Sequence, residues 1–127
     1  MPLKINIKKQ QDEVFAVSPS GYIDSETYQD LAKEVDLILS AATKVIIFDM
    51  QKVEYISSRG ITVLLETKKT LQAKGGTVVI INLQPQVKKA LDIISAIPGF
   101  NIFASTEEAD AYLFRIEQEE KNKKKPE

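Results

Sequence analysis

The feature that most constrains this chain is a pair of strand-sized apolar runs separated by a single helix-length repeat. Lys44-Val45-Ile46-Ile47-Phe48 ends in Asp49, and Thr77-Val78-Val79-Ile80-Ile81-Asn82 follows some thirty positions later. Consecutive apolar positions of this length read as strands buried on both faces. Between them lie a polar turn, a Ser57-Ser58-Arg59-Gly60 step and a run to Lys74 closed by Gly75-Gly76. Ile61, Thr62 and Val63 are β-branched, and local propensity alone favours a strand there. Leu64, Leu65, Lys68, Leu71 and Gln72 fit a 3.6-residue period with a polar opposite side. Two parallel strands also need a crossover, which a third strand cannot supply. The spacing therefore predicts a helix after Gly60, with 44–48 and 77–82 as parallel neighbours joined right-handedly. Ser57 and Ser58 fall where that helix begins, a position that favours both an N-cap and a phosphate.

The flanking segments complete a mixed sheet. Leu3, Ile5 and Ile7 alternate with polar residues, and Val14-Phe15-Ala16-Val17 is a second strand, so the two form a hairpin at the sheet's start. Ser18-Pro19-Ser20-Gly21 breaks the regular pattern. Asp24 or Ser25 then serves as N-cap of a helix, with Glu26 in its first turn. Tyr28, Leu31, Val35, Ile38 and Leu39 form its inner stripe, and the helix runs to Ala41. After residue 82, Pro85 opens a helix with Val87, Ala90, Leu91, Ile94 and Ile97 inside, ended by Pro98-Gly99. Phe100-Asn101-Ile102-Phe103 is a short last strand. Ser105 with Glu108 is a capping box for a final helix carrying Ala109, Tyr112, Leu113 and Ile116. The expected fold is α/β: about five strands, antiparallel at one edge, with about four helices against them. Residues 1–117 form one domain, and 118–127, charge without apolar content, a disordered tail.

Composition narrows the chemistry. With 127 residues and 43% apolar side chains the chain can bury a single core. Its net charge is −1, so it presents no global basic field for nucleic acid. The four lysines from Lys121 onward are read as a solvated tail rather than a membrane or RNA contact. There is no cysteine, which removes thiolate chemistry and disulfides and accords with a reducing compartment. There is no histidine either, which removes a Ser-His-Asp triad, histidine metal ligands and the usual general base near neutral pH. No apolar run approaches the roughly 18 residues of a membrane span, and the first residues do not open a signal peptide. These readings give a cytoplasmic domain with no cofactor, no metal, no catalytic residues, and neither nucleic acid nor membrane as partner.

Three segments carry a resemblance. Gly21-Tyr22-Ile23-Asp24 is similar to a glycine-x-aliphatic-aspartate motif before the first helix of the STAS domain. Val45-Ile46-Ile47-Phe48-Asp49 is similar to that family's central apolar strand closing in aspartate. Tyr55-Ile56-Ser57-Ser58-Arg59-Gly60-Ile61 resembles its aromatic-aliphatic-aspartate-serine-serine-glycine-leucine signature. The match spans about residues 3–115, in the order of elements that the family has. The resemblance implies a bacterial anti-sigma-factor antagonist that is not an enzyme. Such a protein binds an anti-sigma-factor serine kinase and frees a sigma factor. Phosphorylation of one serine breaks the complex, and a PP2C-type phosphatase restores it.

Carried onto this sequence, the modified serine is Ser58, with Ser57 as the second candidate. The partner-binding surface is then Tyr22, Asp24 and Ser25 before the first helix, Tyr55, Ser57 and Arg59 at the central loop over 53–59, and Thr62, Glu66 and Lys69 on the following helix. Two positions depart from the family pattern. Ser57 stands where the family has aspartate, removing a carboxylate beside the acceptor. Arg59 stands where it has the second serine, setting a guanidinium where it can pair with a phosphate.

Other readings stay open on the sequence. On spacing alone Ser57 and Ser58 are plain helix caps, and Asp24 is a cap before it is a partner contact. Asp49 sits at the carboxyl end of a strand, a catalytic position in many α/β folds. No second acid or histidine is placed to work with it, so a turn-stabilising role is expected. Gly75-Gly76 lacks the lysine and spacing of a phosphate loop and is a helix stop. Two other functions compete: a non-switching STAS scaffold subunit of a signalling or transport complex, and a small nucleotide-binding or hydrolytic α/β domain.

Overall fold

A computed structural model describes residues 3–40, 42–95, 101–103 and 105–124. The elements are β1 (Lys4–Gln11), β2 (Val14–Ile23), α1 (Tyr28–Ile38), β3 (Val45–Asp49), β4 (Lys52–Ile56), α2 (Ser58–Gln72), β5 (Thr77–Ile81), α3 (Pro85–Ser95), β6 (Asn101–Phe103) and α4 (Thr106–Lys124). Among the described residues they build one sheet of six strands in the order β1-β2-β3-β5-β6, with β4 also against β2. β1 and β2 are antiparallel, and every other pairing is parallel. β3 and β5 are neighbours, as the two apolar runs require, and α2 is the crossover between them.

The sheet has six strands against the about five expected, and the addition is β4. Lys52–Ile56 was expected as part of a polar loop, yet it pairs in parallel with the second half of β2, Ser20 opposite Lys52 and Ile23 opposite Ile56. Only Val53 and Ile56 are buried in it, so its exposed Lys52 and Glu54 hide the strand from a hydropathy pattern. The same pairing corrects the break expected at Ser18–Gly21, because β2 runs straight through it. β2 pairs with β3 from Val14 to Val17 and with β4 from Ser20 onward. Pro19, which has no N–H to give to a ladder, falls in the gap between the two partners.

The jog from β3 to β4 is fixed by Asp49 and Met50. The Met50 amide donates to the Ile81 carbonyl at 2.9 Å, and the Met50 side chain is fully buried. The Asp49 carboxylate accepts from the Gln51 amide at 3.1 Å and the Asn82 side chain at 3.2 Å. Asp49 therefore stabilises a turn.

Helix boundaries follow local chemistry. α1 begins at Tyr28, later than the expected start at Asp24 or Ser25, and ends at Ile38, where the buried Thr43 hydroxyl donates to the Ile38 carbonyl at 2.6 Å. The expected terminus, Ala41, lies outside the described residues. α2 stops as expected at its glycine pair. Gly75 adopts φ +79, and the Gly76 and Gly75 amides donate to Leu71 and Gln72 carbonyls at 2.7 and 3.1 Å. That crossed pair of bonds is the Schellman arrangement, which needs a left-handed residue at Gly75. Pro85 is the first residue of α3, with Val87 and Leu91 buried. The stop expected at Ile97, Pro98 and Gly99 lies outside the described residues, as do the surroundings of the Ile94 and Ile116 side chains. The Glu108 amide donates to the Ser105 hydroxyl at 3.3 Å, the forward half of the expected capping box.

α4 runs to Lys124, past residue 118, where the charged tail is expected to begin. Glu, Gln, Lys and Arg are good helix formers even without apolar content.

The core has two layers, one on each face of the sheet. Val17, Ile46, Phe48, Val78 and Ile80 meet Leu31, Val35, Leu64, Leu71, Val87 and Leu91 from α1, α2 and α3. On the other face Ala16, Ile47, Val79 and Ile81 meet Ala109, with Tyr112 and Leu113 of α4 beside them. β3 and β5 are thus buried on both sides, which is why their sequences are unbroken apolar runs.

Candidate functional site at the start of the second helix

β2 and β4 end side by side at Ile23 and Ile56, and α2 starts at once. The Ser57 amide donates to the Ile23 carbonyl at 2.8 Å, tying the helix entry to the sheet. The Ser57 hydroxyl accepts from the Gly60 amide at 3.3 Å, and its carbonyl accepts from the Ile61 amide at 3.0 Å. Ser57, with extended backbone (φ −88, ψ 171), is the N-cap. Gly60 lets the helix come this close: a Cβ there would lie 2.6 Å from Ile23 Cγ2 and 2.7 Å from Ile56 Cγ1.

The two serines, equivalent as caps on spacing alone, therefore separate. Ser57 is half-buried and its oxygen is committed to the helix end. Ser58 is the first helical residue and is exposed. No hydrogen bond engages its hydroxyl among the described residues, while its carbonyl accepts from the Thr62 hydroxyl at 3.0 Å.

At the ends of β2 and β4, just before α2, the surface is aromatic. Tyr22 on β2 and Tyr55 on β4 are register partners, with ring centroids 6.1 Å apart and planes tilted by 35°. Each is 47% exposed, high for a large aromatic side chain. The sheet thus brings together two tyrosines 33 positions apart that the sequence could only nominate one at a time.

Arg59 reaches back to α1. Its Nη1 donates to the Tyr28 hydroxyl at 3.1 Å, and its guanidinium carbon lies 5.4 Å from the centre of the Tyr28 ring. A cation over a ring with a donor on the hydroxyl is a favourable double contact. The Tyr28 phenol is held below its ordinary value, first by the Gln29 side chain, which donates to it at 3.2 Å, and then by Arg59. Tyr28 was expected only in the inner stripe of α1. Its ring does pack on the core, but its hydroxyl faces the site. Nothing in the sequence links it to an arginine 31 residues later.

Asp24 holds the loop before α1. Its Oδ1 accepts from the amides of Glu26 at 2.9 Å and Thr27 at 3.0 Å and from the Thr27 hydroxyl at 3.2 Å. The Thr27 hydroxyl also donates to the Tyr22 carbonyl at 2.6 Å, locking the loop onto the end of β2. The Glu26 amide is the main reason the Asp24 carboxyl sits below its ordinary value, with Thr27 assisting against the effect of burial. Asp24 thus caps a turn one step ahead of the helix. Ser25, Thr62, Glu66 and Lys69 are exposed. Glu66 and Lys69 stand well along α2, about 12 Å or more from Ser58 at 1.5 Å rise per residue.

Two further residues carry the site without having been anticipated. Gln84 Nε2 donates to the Gln51 carbonyl at 2.8 Å, and Gln86 Nε2 to the Glu54 carbonyl at 3.2 Å. These side chains from the start of α3 hold the chain on either side of Val53 and so fix the strand that carries Tyr55. Because β4 does not stand out in the sequence, neither does the need to hold it.

No group of histidine, cysteine or carboxylate side chains suited to a metal ion occurs among the described residues, and no described helix is long and apolar enough to cross a membrane. What the arrangement offers is a hydroxyl free of described hydrogen bonds at the start of a helix, one residue before the arginine that reaches Tyr28 and two residues after the strand that carries Tyr55.

The family model for the STAS domain matches residues 6–109. The chain belongs to the STAS domain family. This STAS domain is 27% identical over 95 residues to BtrV of Bordetella bronchiseptica, which is named as a candidate anti-sigma factor antagonist; the alignment covers 75% of this chain and 81% of that one. Its fold is similar to that of an anti-sigma factor antagonist from Mycobacterium paratuberculosis, with TM-score 0.75 at 20% identity, covering 87% of this chain and 92% of that one. It is also similar to the Bacillus cell fate determinant SpoIIAA in its phosphorylated form, with TM-score 0.68 at 19% identity, covering 87% and 99%. The family expected from the three motifs, and its mixed sheet, are thereby established for this STAS domain.

Proposed function

We propose that this STAS domain is an anti-sigma-factor antagonist that acts by binding, in the cytoplasm, and is switched by phosphorylation of Ser58. Its partner is an anti-sigma-factor serine kinase, docked on Tyr22, Asp24, Ser25, Tyr55, Ser57, Arg59, Thr62 and Glu66. A PP2C-type phosphatase reverses the modification. Neither nucleic acid nor a membrane is part of the interaction. The observation that carries this reading is the division of labour between the serines: Ser57 is spent on the cap, and Ser58 keeps an exposed hydroxyl that no described hydrogen bond engages.

In the modification the Ser58 oxygen bonds to the γ-phosphorus of ATP as the bond to the ADP oxygen breaks. The hydroxyl proton passes to a base on the kinase. The product carries about −1.5 to −2 charge and three strong acceptors. Within an interface fitted to a hydroxyl, such a dianion brings steric overlap and a desolvation cost of several kcal/mol unless it is paired. Since about 1.4 kcal/mol is a tenfold change in affinity, one phosphate suffices to separate the partners.

Intact mass tests the reading. The protein is incubated with ATP and each serine kinase of the switch type from its source organism. A gain of one phosphate that vanishes in Ser58→Ala supports the switch; no gain with any of them overturns it. A second reading, a non-switching scaffold subunit of a signalling or transport complex, is favoured by the uncharged Ser57 in place of the family's aspartate. It expects a kinase that binds without modifying, and no change in binding for Ser58→Asp.

A further inference from the structure

We infer that Arg59 is the built-in counter-charge for a phosphate on Ser58, parked on Tyr28 in the unmodified protein and exchanging Tyr28 for the phosphate when it forms. The inference rests on the Ser58 switch proposed above and concerns what the modification does inside this domain. In the unmodified chain the guanidinium has one described hydrogen bond, to the Tyr28 hydroxyl at 3.1 Å, and a ring 5.4 Å away. Both partners are uncharged. Consecutive Cα atoms are about 3.8 Å apart, so a phosphate on the neighbouring residue lies within the sweep of the arginine side chain by rotamer changes alone. A guanidinium prefers the phosphate because the bond is charge-assisted at both ends and can be made at two points.

The exchange is easy on the Tyr28 side as well. Its hydroxyl keeps the Gln29 side chain as a donor at 3.2 Å, so the departure of Arg59 strands no polar atom. Arg59 is exposed, and moving it opens no cavity. The consequence reaches beyond the charge at Ser58. Arg59 is the described side-chain link between the start of α2 and the first residue of α1, so modification of Ser58 unclasps Tyr28 and alters the partner-facing surface on a second element. The substitution of arginine for a second serine in the signature motif thereby acquires a role: it couples the phosphate to α1.

The test installs phosphoserine at position 58 during translation, so that no kinase is needed, and follows the phosphate by phosphorus NMR as pH is varied. With Arg59 present, the second ionisation, ordinarily near pH 6, is lowered by about one unit relative to Arg59→Ala, the low end of what an adjacent opposite charge gives. In the same samples the Tyr28 ring resonances move on phosphorylation toward their positions in unmodified Arg59→Ala. An unchanged phosphate titration in Arg59→Ala, or Tyr28 resonances that ignore the phosphate, overturns the inference. Both readouts are independent of any kinase. A chain that no kinase modifies therefore sinks the Ser58 switch while leaving the exchange to be judged by itself.

Discussion

Ser57 and Ile23 are joined by a 2.8 Å hydrogen bond from the Ser57 amide to the Ile23 carbonyl, so one residue both ends the sheet contact and caps α2. Loss of the cap oxygen in Ser57→Ala should cost about 1 kcal/mol. Ser58→Ala, at an exposed first-turn position, should stay within about 0.5 kcal/mol of the parent. Urea unfolding of the two variants reads the difference. Equal losses would mean that the serines share the capping and that Ser58 is not free. Ser57→Asp, which keeps a capping oxygen and restores the family's carboxylate, should match the parent in stability and be a better kinase substrate.

At Gly60 the helix has no room to spare. A methyl group would sit 2.6 and 2.7 Å from two isoleucine side chains that are themselves 0 and 4% exposed. Gly60→Ala gains helix propensity but forces the buried ends of β2 and β4 or the helix itself to shift. Overpacking of this kind costs about 1–3 kcal/mol. Thermal unfolding should show a lower midpoint, and because Ser58 rides on the same helix turn, kinase binding should weaken with it. A stability equal to the parent would show that the helix start can slide, and would weaken the case for a rigid platform.

Tyr22 and Tyr55 present two half-exposed rings at a position of the sheet that does not need them for its core. Aromatic anchors at the centre of an interface commonly cost 2 kcal/mol or more on truncation, about 30-fold in affinity. Tyr22→Ala and Tyr55→Ala should each weaken kinase binding on that scale in calorimetry, while shifting stability little. Because the rings touch, the double variant should fall short of the sum. Unaltered affinity in both would move the docking surface elsewhere.

What the sequence revealed and what it hid have physical causes. The runs at 45–48 and 78–81 are legible because strands buried on both faces favour unbroken apolar sequence. The helix after Gly60 is legible because parallel neighbours demand a crossover. β4 is not, since only Val53 and Ile56 of its five residues are buried, and the Gln51 and Glu54 carbonyls are held by Gln84 and Gln86, some thirty residues later. The site shows the same division. The Ser57–Gly60 motif is local and readable, whereas the Tyr22–Tyr55 pair and the Arg59–Tyr28 clasp are made by tertiary register.

The Asp24 turn makes a prediction about acid. The Glu26 amide, with Thr27, holds the folded Asp24 carboxyl below its ordinary value of 3.8. A carboxyl with a lowered folded value binds fewer protons folded than unfolded, so stability rises with pH through that range. The contribution is complete above the ordinary value and is lost as pH falls through the lower, folded one. Asp24→Asn keeps an oxygen that can accept from the Glu26 and Thr27 amides but cannot titrate. Near neutral pH the variant should lose the stronger, charge-assisted part of those bonds and be somewhat less stable. As pH drops below about 4, the parent should lose stability faster and the gap should close. Urea midpoints across the acid range measure it. A constant gap down to the lowest pH would mean that the Asp24 charge contributes nothing, leaving shape alone to hold the loop that carries Tyr22 to Thr27.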